Sequence, residues 1–143
     1  MKKEISLISN FNLDIYYNFL NKKIDNKKYK LIKPNFGLFY EKCFEMIKSK
    51  KNNYIIFIWS QIEGVLKNFK ALIENENINI KALYKEVDEY TNILNQLAKK
   101  TDYLIVNSWS LPENERGKYL SDYTSEMGLS KNINLINSRV SNQ

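Results

Sequence analysis

Chemistry in this chain would have to come from the polar residues that follow its apolar runs. Ser9 and Asn10 follow Ile5-Ser-Leu-Ile8, and Asn35 and Gly37 follow Tyr29-Lys-Leu-Ile32. Trp59 to Glu63 follow Tyr54-Ile-Ile-Phe-Ile58, and Trp109 to Arg116 follow Tyr103-Leu-Ile-Val106. A serine hydroxyl becomes a nucleophile only when a neighbouring base takes its proton. Trp59 and Trp109 can wall an apolar slot, while Glu63 and Arg116 can pair or bind a polar ligand. The alternative is that both indoles close the top of the core and that Glu63 and Arg116 form a structural salt bridge.

Several chemistries are excluded outright. The sequence has no histidine, which removes Ser-His-Asp and Cys-His nucleophile systems and the usual His-ligated zinc sites. Its four glycines, at 37, 64, 117 and 128, are too scattered for a dinucleotide or Walker phosphate loop. No spaced acidic cluster suggests magnesium, and no Asp-x-Asp phosphatase motif occurs. No metal or cofactor is therefore expected.

The elements that must position these residues are legible from periodicity. Short runs rich in β-branched and aromatic residues read as strands, and Tyr54 to Trp59 reads as one buried on both faces. The run at 103–107, preceded by Asp102, reads as a second buried strand. Leu13, Tyr16, Tyr17 and Leu20 recur at helical spacing after Asn12, a candidate cap, and predict a helix over 13–22. Phe39, Cys43, Met46 and Ile47 give a second apolar stripe, with Cys43 inside it as a small hydrophobe. A short helical turn near 61–69 and a long helix over 80–100 follow, the latter capped by Asn79. Residues 108–130 form an irregular stretch, and Ile133, Ile136 and Val140 mark a last amphipathic segment. Strand and helix thus alternate four times. Right-handed crossovers then favour a three-layer α/β/α sandwich around a parallel sheet of order 2-1-3-4, with ligands expected at the carboxyl ends of the strands.

At 143 residues, 43% hydrophobic and 27% charged, the chain is expected to be one globular domain. No apolar run approaches the roughly 20 residues of a membrane helix. A single cysteine and the absence of a cleavable leader at Met1-Lys-Lys-Glu predict a cytoplasmic protein. The charge is uneven: residues 1–50 hold 11 lysines against 5 acids, which accounts for the whole net charge of +6. Lys22, Lys23, Lys27, Lys28, Lys30 and Lys33 are the densest part. Such a patch favours acidic partners, or else is a solvated loop. It contains no arginine and no recognition motif accompanies it, so nucleic acid is not the expected partner.

Four segments resemble a known family. Trp59-Ser-Gln-Ile-Glu63-Gly-Val, then Val87-Asp-Glu-Tyr90, then Trp109-Ser-Leu-Pro-Glu-Asn-Glu-Arg-Gly117 are similar to the N-terminal domain of FkbH-like proteins, as is the opening Leu7-Ile-Ser-Asn-Phe-Asn-Leu-Asp14. In that family an SGNH-hydrolase-like domain, a relative of flavodoxin-like sandwiches, precedes a haloacid-dehalogenase-type domain. Its members help load glyceryl or related acyl units onto carrier proteins in bacterial polyketide and surface-glycan biosynthesis. The resemblance implies that Ser9 occupies the nucleophile position and Gly37 an oxyanion position. Where the pattern has Asn after the third strand, this chain has Ser60-Gln61, and the closing Asp-x-x-His block has no counterpart.

The expectation is therefore a non-hydrolytic SGNH-like module that binds an acyl carrier protein or its cargo, alone or as the N-terminal part of a longer protein. Its rivals are an esterase or acyltransferase using Ser9, and a non-enzymatic partner docking on a separate catalytic subunit such as the haloacid-dehalogenase-type domain.

Overall fold

Four apolar runs become four parallel strands in the computed structural model, which describes residues 2–33, 38–74, 77–111 and 124–142. They are β1 (Lys3–Ile8), β2 (Tyr29–Ile32), β3 (Asn53–Ile58) and β4 (Thr101–Val106). Their spatial order is β2-β1-β3-β4, as the alternation of elements predicts. The register pairs Ile5 with Leu31 and Ile55, and Ile55 in turn with Tyr103.

The helices described are α1 (Asp14–Lys23), α2 (Phe39–Lys48), α3 (Lys67–Ile73), α4 (Ile80–Ala98) and α5 (Leu129–Ser141). The chain divides into two compact units. The first is residues 1–61 with 93–107 and contains the whole sheet, while the second is residues 62–92 with 108–143.

In the first unit β1 steps one way to β2 and then back across itself to β3. Two right-handed crossovers in opposite directions place α1 and α2 on opposite faces of the sheet, giving the three-layer α/β sandwich. On the α1 side, Leu7, Leu13 and Leu31 form a buried cluster, with Ile5, Tyr16, Tyr17, Leu20 and Phe57 packed against it. Alternate residues Ser6, Ile8, Ile56 and Ile58 are buried on the other side. Helix α2 contributes Phe39, Cys43 and Met46 as its buried stripe and contacts β1. Asn12, the expected cap, lies one residue too early: Leu13 is the N-cap of α1 and makes no side-chain capping bond, and the Asn12 Oδ1 closes a local turn by accepting the Asp14 N–H at 2.7 Å.

One strand differs from expectation. The sequence predicts a buried β4, yet Tyr103 is 56% and Ile105 46% exposed, and Asp102 lies within the strand. Among the described residues β4 is the sheet edge, with β3 as its one neighbour, and a four-residue apolar run cannot distinguish that position from a central one.

In the second unit a 3-10 turn, Ile62–Gly64, leads into α3. The Glu86 carboxylate accepts the Asn68 N–H at 2.9 Å, a negative group placed at the positive end of α3. Asn132 is a buried polar residue that ties this unit together. Its Nδ2 donates to the carbonyls of Glu126 and Gly128 at 2.9 and 2.8 Å, and its Oδ1 accepts the Tyr84 hydroxyl at 3.2 Å. Arg139 grips Asp88 through Nε and a terminal nitrogen at 2.6 and 2.8 Å, the bidentate geometry that suits a guanidinium. Among the described residues, no helix is long and apolar enough to cross a membrane.

Candidate functional site

The carboxyl ends of β1, β3 and β4 meet as a rim held by side-chain amides. Asn10, just past β1, donates from Nδ2 to the Gln61 carbonyl at 2.8 Å and accepts the Gln61 N–H on Oδ1 at 2.9 Å. Asn107, just past β4, does the same for Ser60: the Ser60 N–H reaches Oδ1 at 2.8 Å, and Nδ2 donates to the Ser60 carbonyl at 3.0 Å. Each amide imitates one further rung of the ladder after the strands have ended. β3 is thereby clamped from both sides, by residues 51 and 47 positions away in sequence.

Ser9 lies inside this rim. It is 2% exposed, and its Oγ accepts the Phe11 N–H at 3.1 Å. That is a local turn, in which the hydroxyl oxygen satisfies its own loop. Among the described residues no carboxylate or amine is hydrogen-bonded to Ser9 Oγ, so nothing stands ready to take its proton. General-base assistance contributes roughly 10²–10⁴ in rate, and a buried serine without it is a poor nucleophile.

Trp59 emerges beside the rim at 37% exposure. Its indole meets Tyr16, Phe11 and Phe57 edge-on, with centroids 5.0, 5.9 and 6.3 Å away. These near-perpendicular contacts are the preferred aromatic geometry, and they hold one wall of a half-open apolar surface in place. Trp109 belongs to the second unit and is buried, 5.2 Å from Tyr90. Asn137 brackets it, accepting the Trp109 N–H at 2.9 Å and donating to its carbonyl at 2.7 Å. Glu63 sits half-buried in the 3-10 turn of the same unit. Asn35, Gly37 and Arg116 lie outside the described residues.

The basic stretch divides in two. Lys28, Lys30 and Lys33 are paired with Asp25, Glu4 and Asp14 at 3.8, 3.6 and 3.1 Å. Exposed pairs of this kind contribute about 0–1 kcal/mol and leave much of the lysine charge facing water. Among the described residues, Lys22, Lys23 and Lys27 have no ion pair, and Lys22 and Lys23 stand in the last turn of α1.

Cys43 is fully buried, and burial pushes its thiol up to about 12, so it remains a neutral core group. No three metal-type side chains converge among the described residues.

No family model, curated protein or solved structure matches this chain. The α/β assignment therefore stands on the strands and their order alone.

The sequence pointed to the strand ends without indicating what the amides there do. An Asn after a strand looks the same whether it awaits a ligand or clamps a neighbour, and its partner is remote in sequence. A basic cavity at the opposite, amino end of the sheet gave no local signal either, since four separate segments build it.

Proposed function

We propose that this chain is a non-hydrolytic SGNH-like module of the FkbH-like kind, which binds an acidic carrier protein or its acyl or glyceryl cargo. The state of Ser9 carries this reading: the hydroxyl at the nucleophile position is buried and engaged with its own loop, and among the described residues no base is hydrogen-bonded to it. A rim so arranged suits recognition better than acyl transfer. The half-open aromatic wall at Trp59 offers apolar surface to a cargo chain. Lys22, Lys23 and Lys27 offer unpaired positive charge within the first 50 residues, where the whole net charge of +6 lies. Complementary charge of this sort mainly raises the association rate and fixes orientation.

Titrating the ¹⁵N-labelled chain with a phosphopantetheinylated acyl carrier protein tests it. Saturable shifts are expected at the amides of Lys22, Lys23 and Lys27 and around Asn10 and Trp59. A spectrum that stays unchanged to millimolar carrier would discard the reading. Shifts confined to Tyr103 and Ile105 would favour docking through the sheet edge instead.

A further inference from the structure

The amino ends of the same strands enclose an open cavity of about 650 Å³, on the edge opposite to the rim. Its size is within the ~300–1,000 Å³ typical of small-molecule sites. All of its lining residues belong to the first unit.

Lysines from three places converge on it: Lys2 and Lys3 at the start of β1, Lys30 in β2, and Lys51 before β3. Two carboxylates, Glu4 and Asp102, also line it, and Glu4 is paired with Lys30 at 3.6 Å. Four cations against two anions leave the cavity with a net charge of +2. Among the described residues, neither Lys2 nor Lys51 has an ion pair.

The floor is firmly built. Lys3 Nζ lies 4.0 Å from the centroid of the Tyr54 ring, a cation–π contact that holds the ammonium over the cavity. The Tyr54 ring is itself fixed by Tyr29, stacked at 5.8 Å, and by Tyr103, edge-on at 5.5 Å. Asn53 uses Oδ1 to accept the Ser6 hydroxyl at 2.9 Å, which orients its amide so that the NH₂ has no protein acceptor among the described residues. Lys2, Lys3 and Lys51, which lie outside the Lys30–Glu4 pair, and an amide NH₂ line one concavity in which Asp102 is the other carboxylate, and the net charge of +2 matches a dianion.

We infer that this cavity binds a phosphate dianion, carried by a small organic molecule or free in solution. The ammoniums of Lys2, Lys3 and Lys51 hold the phosphoryl oxygens, and the Asn53 amide supplies a neutral donor. Asp102 remains as an acceptor for a hydroxyl of the carrier molecule. This site is separate from the carboxyl-edge rim, and the segment from Lys22 to Lys28 borders it, with the Lys28 carbonyl accepting the Lys3 N–H at 2.9 Å.

The test is a ¹⁵N-correlation titration at constant ionic strength, with ribose 5-phosphate in one arm and inorganic phosphate in the other. Saturable shifts are expected at Lys3, Asn53 and Tyr54 with at least one of them. Tighter binding of ribose 5-phosphate identifies a phosphate ester as the ligand, and equal binding identifies the phosphate itself. Lys2 and Lys51 are exposed, so a Lys2→Gln/Lys51→Gln variant retains the fold. It should weaken binding by about tenfold or more, the scale of one lost charge-assisted hydrogen bond. A Lys67→Gln/Lys81→Gln variant, changed at two exposed lysines of the second unit, should bind as the parent does. The inference is overturned by non-saturating shifts in both arms, by unchanged affinity in the first variant, or by equal weakening in the second.

Discussion

Asn107→Ala should destabilise the protein by about 2–4 kcal/mol, and Asn10→Ala by only about 1 kcal/mol, although each removes a matched pair of hydrogen bonds. The difference comes from what is left behind. Asn107 bonds both backbone groups of Ser60, which is 3% exposed, so truncation removes two hydrogen bonds from a place that water does not reach. Asn10 satisfies those of Gln61, which is exposed, and water replaces the lost bonds there. Urea unfolding followed by tryptophan fluorescence measures both. Equal losses would mean that the amides do not act as strand clamps. A loss under about 0.5 kcal/mol for Asn107→Ala would mean the same, since that is the range of an ordinary surface substitution.

A second large effect belongs to Cys43. Its thiol ionises near 9.0 when unburied and is pushed up to about 12 in the folded protein, because burial penalises the thiolate. A folded-state value raised above the unfolded one gives stability that is fully present below pH 9 and is lost as pH climbs towards 12. The loss is about 1.4 kcal/mol per pH unit within that window. Lysines and tyrosines titrate there too, so the readout is the stability difference between the parent chain and Cys43→Ala. That difference should move by about 2 kcal/mol in favour of the variant between pH 8 and pH 10.5. A difference that stays constant over this range would show that Cys43 reaches solvent.

The sheet was legible because its cause is local. Ile5 to Ile8, Tyr54 to Ile58 and Tyr103 to Val106 are short and rich in β-branched or aromatic residues, and helical stripes separate them. Once the elements alternate, the handedness of crossovers does the rest, and the observed order follows. What sequence could not convey depends on neighbours. Tyr103 and Ile105 look like core residues, yet they are 56% and 46% exposed on the last strand of the order β2-β1-β3-β4. Asn132 reads as an ordinary polar residue on the last helix, yet it is 1% exposed because two carbonyls and a tyrosine hydroxyl converge on it. Asn10 and Asn107 look like site donors, and their clamping role becomes visible only with β3 lying between them. Lys2, Lys30 and Lys51 are scattered lysines in sequence and line one cavity in the fold.

The proposal that the carboxyl edge recognises without hydrolysing rests on Ser9 having no means of activation. Exposing the folded chain to a fluorophosphonate, which phosphonylates activated serines, and recording its intact mass tests this most directly. The account expects an unchanged mass after prolonged incubation. A single added phosphonyl group located on Ser9 by peptide mapping would contradict it.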